Sequence, residues 1–243
     1  MATEIIIFDL DGTLLDTLED LADAVNYALR EYGLPSHPLS AVRMMVGNGV
    51  RRLMERAVGN ADVCFDDVFA CFKAYYVDHC QVKTRLYDGI APLLSTLHEQ
   101  GYRVAIVSNK LQAGVDALHK VYFKDLVDVA IGEREGISRK PAPDMVNAAL
   151  SALCRDGESI EDLRARAIYV GDSDVDILTA EAAGMPCVSV LWGFRDEDFL
   201  RAHGATLLAR APKDILDFLP RPPQPPERGE QIQQPKKTPQ QTK

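Results

Sequence analysis

The chain opens with a short apolar segment that is followed at once by two acids. Ile5–Phe8 contains four consecutive β-favouring residues, and Asp9 and Asp11 come directly after it. An apolar run of this kind, without polar alternation, predicts a strand that is buried on both faces, as in a parallel sheet. Asp11-Gly12 predicts a turn at the strand end. Because open α/β sheets bind ligands beyond the carboxyl ends of their strands, the acids lie where a ligand site is expected.

Carboxylates two residues apart in extended chain point the same way and repel each other. At an effective dielectric near 20, two unit charges about 4 Å apart repel by about 4 kcal/mol. A proton, a cation or a lysine can offset that repulsion. A set of oxygen ligands favours Mg²⁺ over zinc or copper, and a carboxylate beside Mg²⁺ can attack phosphorus. The pair therefore predicts Mg²⁺-dependent phosphoryl transfer, and the alternative is an ordinary Asx turn.

Two further apolar strands end in polar side chains. Arg103–Val107 is followed by Ser108 and Asn109, whose hydroxyl and amide groups can donate to a phosphate oxygen. Ala167–Val170 is followed, after one glycine, by Asp172. If the strands are parallel, this aspartate can complete an oxygen cage with the acid that follows the first strand. Each signal alone is weak, since Ser-Asn is also common in turns.

Lys140 begins the segment Lys-Pro-Ala-Pro, in which the prolines stiffen the backbone. Pro143 suits the start of a helix over Asp144–Leu153. A fixed ammonium near several acids neutralises them and stabilises charge that develops on phosphorus. Taken alone, the lysine is more typical of a solvated surface position. Asp176 lies in the first turn of the helix that follows Asp172, where the helix dipole favours acids.

Taken together and in order, these segments resemble the four motifs of the haloacid dehalogenase-like superfamily in its phosphatase form. The resemblance extends from about Thr3 to Leu219, and the motif residues show no departure from the pattern. It implies an α/β fold with a Rossmann-like, three-layer core around a parallel sheet and an inserted all-helical cap. Alternating predicted strands and helices along the second half of the chain also favour a parallel sheet covered on both faces.

The resemblance assigns catalytic roles to four residues. It implies that Asp9 attacks phosphorus and that Asp11 first protonates the leaving alkoxide and then deprotonates the attacking water. It also implies that Ser108 and Lys140 hold the phosphoryl oxygens, with Asn109 nearby as a substrate-binding residue.

The same resemblance implies one magnesium ion. Its expected ligands are Asp9, the backbone carbonyl of Asp11, and Asp172. Asp176 is expected outside this set, where it would orient Lys140 or a metal-bound water.

The chain is expected to divide into three parts. Helices are predicted between the first two motifs over Ser40–Met45, Gly49–Val58 and Phe65–Cys80, after a helix that begins near Thr17 with a capping-box pattern. We expect residues 1–16 and 87–219 to form the catalytic core and 17–86 the cap. The stretch at 220–243 contains seven prolines and six glutamines with almost no apolar residues, so it is expected to be disordered.

The segment Val46-Gly47-Asn48-Gly49 precedes one of the cap helices, so its backbone N–H groups are available to an anion. Arg51 follows. The stretch is similar to a segment in the caps of bacterial phosphoglycolate phosphatases, which implies that Gly47, Asn48, Gly49 and Arg51 bind the carboxylate of 2-phosphoglycolate. An ordinary helix start with solvated arginines is an equal alternative.

Composition narrows the class of partner. A formal net charge of −9 argues against nucleic acid and against a basic membrane-binding face. The sequence contains no apolar run of about 18 residues that could span a bilayer and no signal-peptide pattern. Five cysteines without a C-x-x-C pair suggest reduced thiols in the cytoplasm. We therefore expect a cytoplasmic monomer or homodimer that acts on a small phosphorylated metabolite.

Other functions fit the same residues. A phosphosugar mutase would use the same core and the same aspartyl phosphate, and pyrophosphatases and nucleotidases share the chemistry. A phosphate-binding regulatory module without activity is the alternative outside the enzymes.

Overall fold

The computed structural model describes residues 4–219, and the tail predicted at 220–243 lies outside the described residues. The strands in chain order are β1 Ile5–Phe8, β2 Leu15–Asp16, β3 Arg85–Leu86, β4 Arg103–Leu111, β5 Val129–Glu133, β6 Ala167–Gly171, β7 Cys187–Val190 and β8 Leu207–Ala209. The α-helices are α1 Leu18–Glu31, α2 Leu39–Met45, α3 Gly49–Val58, α4 Phe65–His79, α5 Ile90–Glu99, α6 Gln112–Leu118, α7 Asp144–Leu153, α8 Ile160–Arg164, α9 Asp174–Ala182 and α10 Glu197–Ala202. A π-helical turn occupies His119–Phe123, and a 3₁₀ helix occupies Pro212–Phe218.

Six strands form one parallel sheet in the order β5-β4-β1-β6-β7-β8. The first strand lies at its centre, where Phe8 pairs with Ile106 of β4 on one side and with Val170 of β6 on the other. The carboxyl ends of β1, β4 and β6 are therefore neighbours. This arrangement brings together the polar residues that follow three strands far apart in sequence.

Both faces of the sheet are covered by helices. Ile6 and Phe8 pack into a hydrophobic cluster with residues of α5 and α6, whereas Ile5 and Ile7 pack into a second cluster with residues of α7, α8 and α9. All four side chains are fully buried, as expected of a strand in the middle layer. The prediction of a three-layer, Rossmann-like α/β fold is confirmed.

One strand is longer than the sequence indicated. The predicted strand Arg103–Val107 continues in the structure as β4 to Leu111, with a register shift against β5. The polar residues Ser108, Asn109 and Lys110 are buried within it. Polar residues at a strand end resemble a turn in sequence, but here they lie at the floor of a cleft where the site requires them.

The four helices α1 to α4, which we call the helical unit, share a hydrophobic cluster of their own. Val25, Leu29, Leu53 and Phe72 belong to this cluster and are almost fully buried. The predicted limits of the cap and core stay a prediction. Across residues 4–219, no helix combines the length and the apolar character needed to cross a bilayer.

The chain enters and leaves the helical unit through a short antiparallel pair, β2 with β3. The carboxylate of Asp20, almost fully buried, accepts hydrogen bonds from the backbone N–H groups of Lys83 and Thr84 and from the Thr84 hydroxyl. The capping box expected at Thr17 is absent, because Asp20 binds across to the returning chain and the Thr17 hydroxyl is buried with no hydrogen-bond partner. Asp20 therefore ties the entering and returning segments together.

We expect Asp20→Ala to lower the free energy of unfolding by about 3 kcal/mol, because it leaves buried donors of the returning segment unpaired. Asp23→Ala is the matched control, since Asp23 is about half exposed and, within residues 4–219, pairs with the flexible Lys83 ammonium alone; it should change stability by less than about 1 kcal/mol. Urea unfolding followed by circular dichroism measures both. Equal effects in the two variants would contradict this account of the junction.

Candidate active site

Asp9 is the first residue after β1. It lies buried at the floor of a cleft between the carboxyl ends of the central strands and the helical unit. Its Oδ1 atom accepts a hydrogen bond from the Leu10 N–H at 2.7 Å and contacts the Lys140 ammonium at 2.8 Å. Burial, together with the Asp176 and Asp172 carboxylates, raises the pKa of Asp9 well above its usual value despite Lys140.

Lys140 connects the two acids that flank it. Its Nζ atom contacts Asp9 and Asp176 at 2.8 Å each and the Tyr169 hydroxyl at 3.2 Å. Burial alone would lower the pKa of Lys140, but Asp176 and Asp9 outweigh burial and raise this pKa well above its ordinary value. Lys140 therefore stays an ammonium inside the protein.

Asn109 fixes the backbone of this lysine. Its side-chain oxygen accepts from the Lys140 N–H at 2.9 Å, and its side-chain nitrogen donates to the Lys140 carbonyl at 3.1 Å. The sequence suggested Asn109 as a substrate-binding residue. It lines the cleft, but both of its amide heavy atoms bind the Lys140 backbone, so in this structure it positions the lysine.

Asp9, Asp172 and Asp176 form a buried cluster whose carboxylate oxygens lie within 4.8 Å of one another. Asp172 accepts from the Phe194 N–H at 2.7 Å. Burial and Asp176 raise the pKa of Asp172 to about 7. Three carboxylates around one ammonium leave excess negative charge, which a divalent cation with a preference for oxygen ligands would offset. The residues present therefore fit Mg²⁺.

Asp176 joins this cluster, whereas the sequence placed it outside the ligand set. Its Oδ1 atom contacts Lys140, as expected, and its Oδ2 atom accepts from the Ser173 hydroxyl at 2.7 Å.

Two glycines allow Asp172 to lie so close to the first strand end. A Cβ atom at Gly12, where φ is +89°, or at Gly193 would collide with the Asp172 side chain. Asp11 is not part of the carboxylate cluster, since its side chain turns to Lys110.

Ser108 and Lys110 lie two residues apart on β4 and line the same cleft. The Ser108 hydroxyl oxygen accepts from the Lys110 N–H at 3.2 Å, which leaves its hydrogen available to a phosphate. The Lys110 ammonium contacts Asp11 Oδ1 at 3.2 Å and the Tyr76 hydroxyl of α4 at 2.5 Å. Burial raises the pKa of Tyr76 to about 12, and Asp11 and Tyr76 outweigh burial to raise the pKa of Lys110.

Of the four residues predicted to bind a carboxylate, Gly47 and Gly49 line the cleft. The structure does not bring Arg51 there. Its guanidinium pairs with Asp66 at 3.0 Å and stacks over the Phe65 ring on the outer surface, with the side chain about half exposed. Asn48 precedes α3 without contributing a side-chain cap.

Sequence reasoning missed Arg195, which lines the cleft and is almost fully buried. It donates to the carbonyls of Arg43 and Val46 at the end of α2, at 2.9 and 2.7 Å. In return, Arg43 donates to the carbonyls of Gly193 and Phe194 at 2.6 and 2.7 Å. We call these reciprocal contacts the arginine clasp. A single arginine in a loop has no spacing signal by which the sequence could identify it.

A family model described as haloacid dehalogenase-like hydrolase matches residues 6–190 of this chain. A phosphoglycolate phosphatase of Mesorhizobium japonicum is 35% identical over 202 residues, which cover 81% of this chain and 86% of that protein. A phosphoglycolate phosphatase of Aquifex aeolicus is 31% identical over 220 residues, 88% of this chain and 99% of that protein.

Solved structures share the fold. A crystal structure from Lactobacillus delbrueckii subsp. bulgaricus superposes with a TM-score of 0.82 at 34% identity and covers 90% of this chain and 98% of its own. A predicted phosphoglycolate phosphatase from Haemophilus somnus 129PT superposes with a TM-score of 0.80 at 27% identity, over 89% of this chain and 97% of its own.

Metal-free protein should become less stable as pH rises from about 4 to about 7, because folded Asp172 keeps a proton that the unfolded chain releases in this window. In chelator at pH 8, Asp172→Asn should be more stable than the parent, on the order of 2 kcal/mol. Thermal or urea unfolding across the pH range checks both expectations. Asp174→Asn, two residues on and only partly buried, should not stabilise the protein, and a gain equal to that of Asp172→Asn would contradict the argument.

Proposed function

Because the chain belongs to the haloacid dehalogenase-like hydrolase family, we propose that it hydrolyses a small phosphoric monoester through Asp9 as the nucleophile. The observation that carries this proposal is the position of Asp9 at the carboxyl end of β1, in contact with the Lys140 ammonium and within 4.8 Å of two further carboxylates. A buried carboxylate with a fixed cation beside it can approach a phosphate that a lone carboxylate would repel.

In the first step, an oxygen of Asp9 attacks phosphorus and the bond from phosphorus to the alcohol oxygen breaks. The contacts from Lys140 and the Leu10 N–H both fall on Oδ1, which leaves Oδ2 to attack. Asp11 gives its proton to the departing oxygen, so the alcohol leaves neutral. Lys140 and the Ser108 hydroxyl hold the phosphoryl oxygens on which charge accumulates.

In the second step, water cleaves the aspartyl phosphate. Asp11, now a carboxylate, takes a proton from the water as its oxygen attacks phosphorus. The bond between phosphorus and Asp9 then breaks, inorganic phosphate leaves, and both acids return to their starting states. One residue serves as acid and base because the two steps are near reversals of each other.

We assign Mg²⁺ to the carboxylates of Asp9 and Asp172, with the backbone carbonyl of Asp11 as the further ligand that the sequence predicts. The raised pKa values of Asp9 and Asp172 support a cation at this point. When bound, the ion supplies Lewis-acid stabilisation of the phosphoryl charge. Asp176 orients Lys140, and its place in the carboxylate cluster makes it a further candidate ligand.

We propose 2-phosphoglycolate as the substrate. The names of the two relatives described above support this choice, as does the position of Gly47 and Gly49 in the lining of the cleft at the start of α3. Backbone N–H groups at a helix start suit a carboxylate, and Arg195 adds positive charge beside them. The helical unit would act as the cap that excludes water from the cleft. The five cysteines are free thiols, which fits the predicted cytoplasmic location.

We expect Asp9→Asn to lose more than about 10³-fold in kcat while it keeps its fold, because the amide has the same shape without the nucleophilic oxygen. Steady-state release of inorganic phosphate measures turnover, and circular dichroism reports the fold. Asp23→Asn is the control, because Asp23 does not line the cleft and is about half exposed, and it should keep near-normal turnover. Substantial activity in the Asp9 variant would exclude the covalent route, and activity of the parent in excess chelator would exclude the magnesium site.

We expect kcat/KM to be at least about tenfold higher for 2-phosphoglycolate than for ethyl phosphate, which has the same carbon chain length without the carboxylate. A panel of phosphorylated metabolites under the same conditions ranks the alternatives, including pyrophosphate and nucleotides. Equal kcat/KM values for the two esters would show that the cleft does not recognise the carboxylate, and the proposed phosphatase chemistry would still stand. Conversion of a hexose 1-phosphate into its 6-phosphate isomer would point to a mutase.

A further inference from the structure

A series of polar contacts connects the helical unit to Asp11, the general acid. The catalytic steps proposed above do not assign a role to these contacts. The Tyr76 hydroxyl, on α4, contacts Lys110 Nζ at 2.5 Å, and Lys110 Nζ contacts Asp11 Oδ1 at 3.2 Å. The Lys110 ammonium also lies 4.9 Å from the centre of the Tyr76 ring. These two contacts therefore link the helical unit, the sheet and the catalytic acid Asp11.

These contacts hold Lys110 in one place. Its side chain is only 4% exposed, although lysine is rarely buried this deeply without a partner. Its stem packs against Gly114 of α6, where a Cβ atom would meet the lysine methylenes at 3.5 Å. The ammonium is thus enclosed by the helical unit on one side and by Asp11 on the other.

The contact with Asp11 involves one carboxyl oxygen only. Lys110 holds Oδ1, and under the proposed mechanism Oδ2 would be the oxygen that gives its proton to the leaving group. An acid that protonates a departing oxygen must hold its donor atom within hydrogen-bond reach and in line. A carboxyl fixed at one oxygen by a buried cation meets this demand without free rotation.

We propose that Lys110 and Tyr76 are positioning residues for Asp11, and that Tyr76 makes proton delivery depend on the packing of the helical unit against the core. The inference rests on the role of Asp11 proposed above. Lys110 fixes the carboxyl, and the Tyr76 hydroxyl fixes Lys110. Displacement of α4 would release the ammonium and leave Asp11 free to rotate.

Leaving groups of different strength test the proposal. An alkoxide needs a proton as it departs, whereas p-nitrophenolate leaves without one. The value of kcat/KM covers the steps up to alcohol release and does not depend on the later hydrolysis of the aspartyl phosphate. We expect Lys110→Met to lower kcat/KM about 30-fold or more for 2-phosphoglycolate, and less than about threefold for p-nitrophenyl phosphate.

Tyr76→Phe keeps the aromatic packing and removes only the hydroxyl, so it tests these contacts even if Lys110→Met fails to fold. We expect Tyr76→Phe to have a similar but smaller effect, with kcat/KM lowered about fivefold for the alkyl ester and little changed for the aryl ester. Lys110→Arg should recover part of the activity lost in Lys110→Met. Tyr75→Phe, the neighbouring residue that stacks on His79 away from Lys110, is the control and should behave as the parent does.

Three results separate the possibilities. Equal losses with both esters in Tyr76→Phe and Lys110→Met would overturn the proposal in favour of a merely structural role. A rise in KM and in the inhibition constant of inorganic phosphate, with kcat unchanged, would make Lys110 a phosphate-binding residue and overturn it as well. Asp11→Asn, measured in parallel, tests the acid role itself. If this variant loses kcat/KM equally for the alkyl and the aryl ester, Asp11 is not the general acid, and the positioning role of Lys110 and Tyr76 is wrong as well.

Discussion

The site depends on one buried ammonium held between two carboxylates. Lys140 lies at 2.8 Å from both Asp9 and Asp176, with almost no exposure to solvent. Without the lysine, three acids at the sheet edge would repel one another in a medium that screens charge poorly. With it, a carboxylate can be buried close to a phosphate and kept in one orientation. The clamp of Asn109 on the Lys140 backbone and the glycines around Asp172 serve that same requirement.

Much of this arrangement could be predicted from the sequence because it is written in local patterns. The apolar run Ile5–Phe8 predicts a buried central strand, and its place between β4 and β6 brings Asp9 and Asp172 together. The helices over Gly49–Val58 and Asp144–Leu153 have their predicted bounds, since glycine and proline mark where each begins. The α/β fold, the hydrolase family and the phosphatase class follow from motifs of this local kind.

The remainder depends on which side chains meet across long distances in the chain, which no local pattern encodes. Arg51 follows a glycine-rich loop in sequence, but Asp66 and the Phe65 ring hold it on the outer surface. Asp20 looked like the end of a capping box, but the returning chain offers it three donors. Arg195 reaches the cleft from a loop, and Tyr76 contacts the cleft residue Lys110 from α4; neither position has a sequence signature. Such contacts arise only when the helical unit and the sheet are packed together.

The arginine clasp joins these two parts through main-chain carbonyls alone. Any amino acid supplies a carbonyl, so the residues that accept from Arg43 and Arg195 can change in evolution without loss of the contact, provided that the backbone keeps its path. The two donors have no such freedom. A lysine carries one point charge where each arginine spreads its donors over a planar fork, and it could not span two carbonyls in the same way. We therefore expect substitutions to be tolerated at the residues whose carbonyls accept these hydrogen bonds, but not at Arg43 and Arg195.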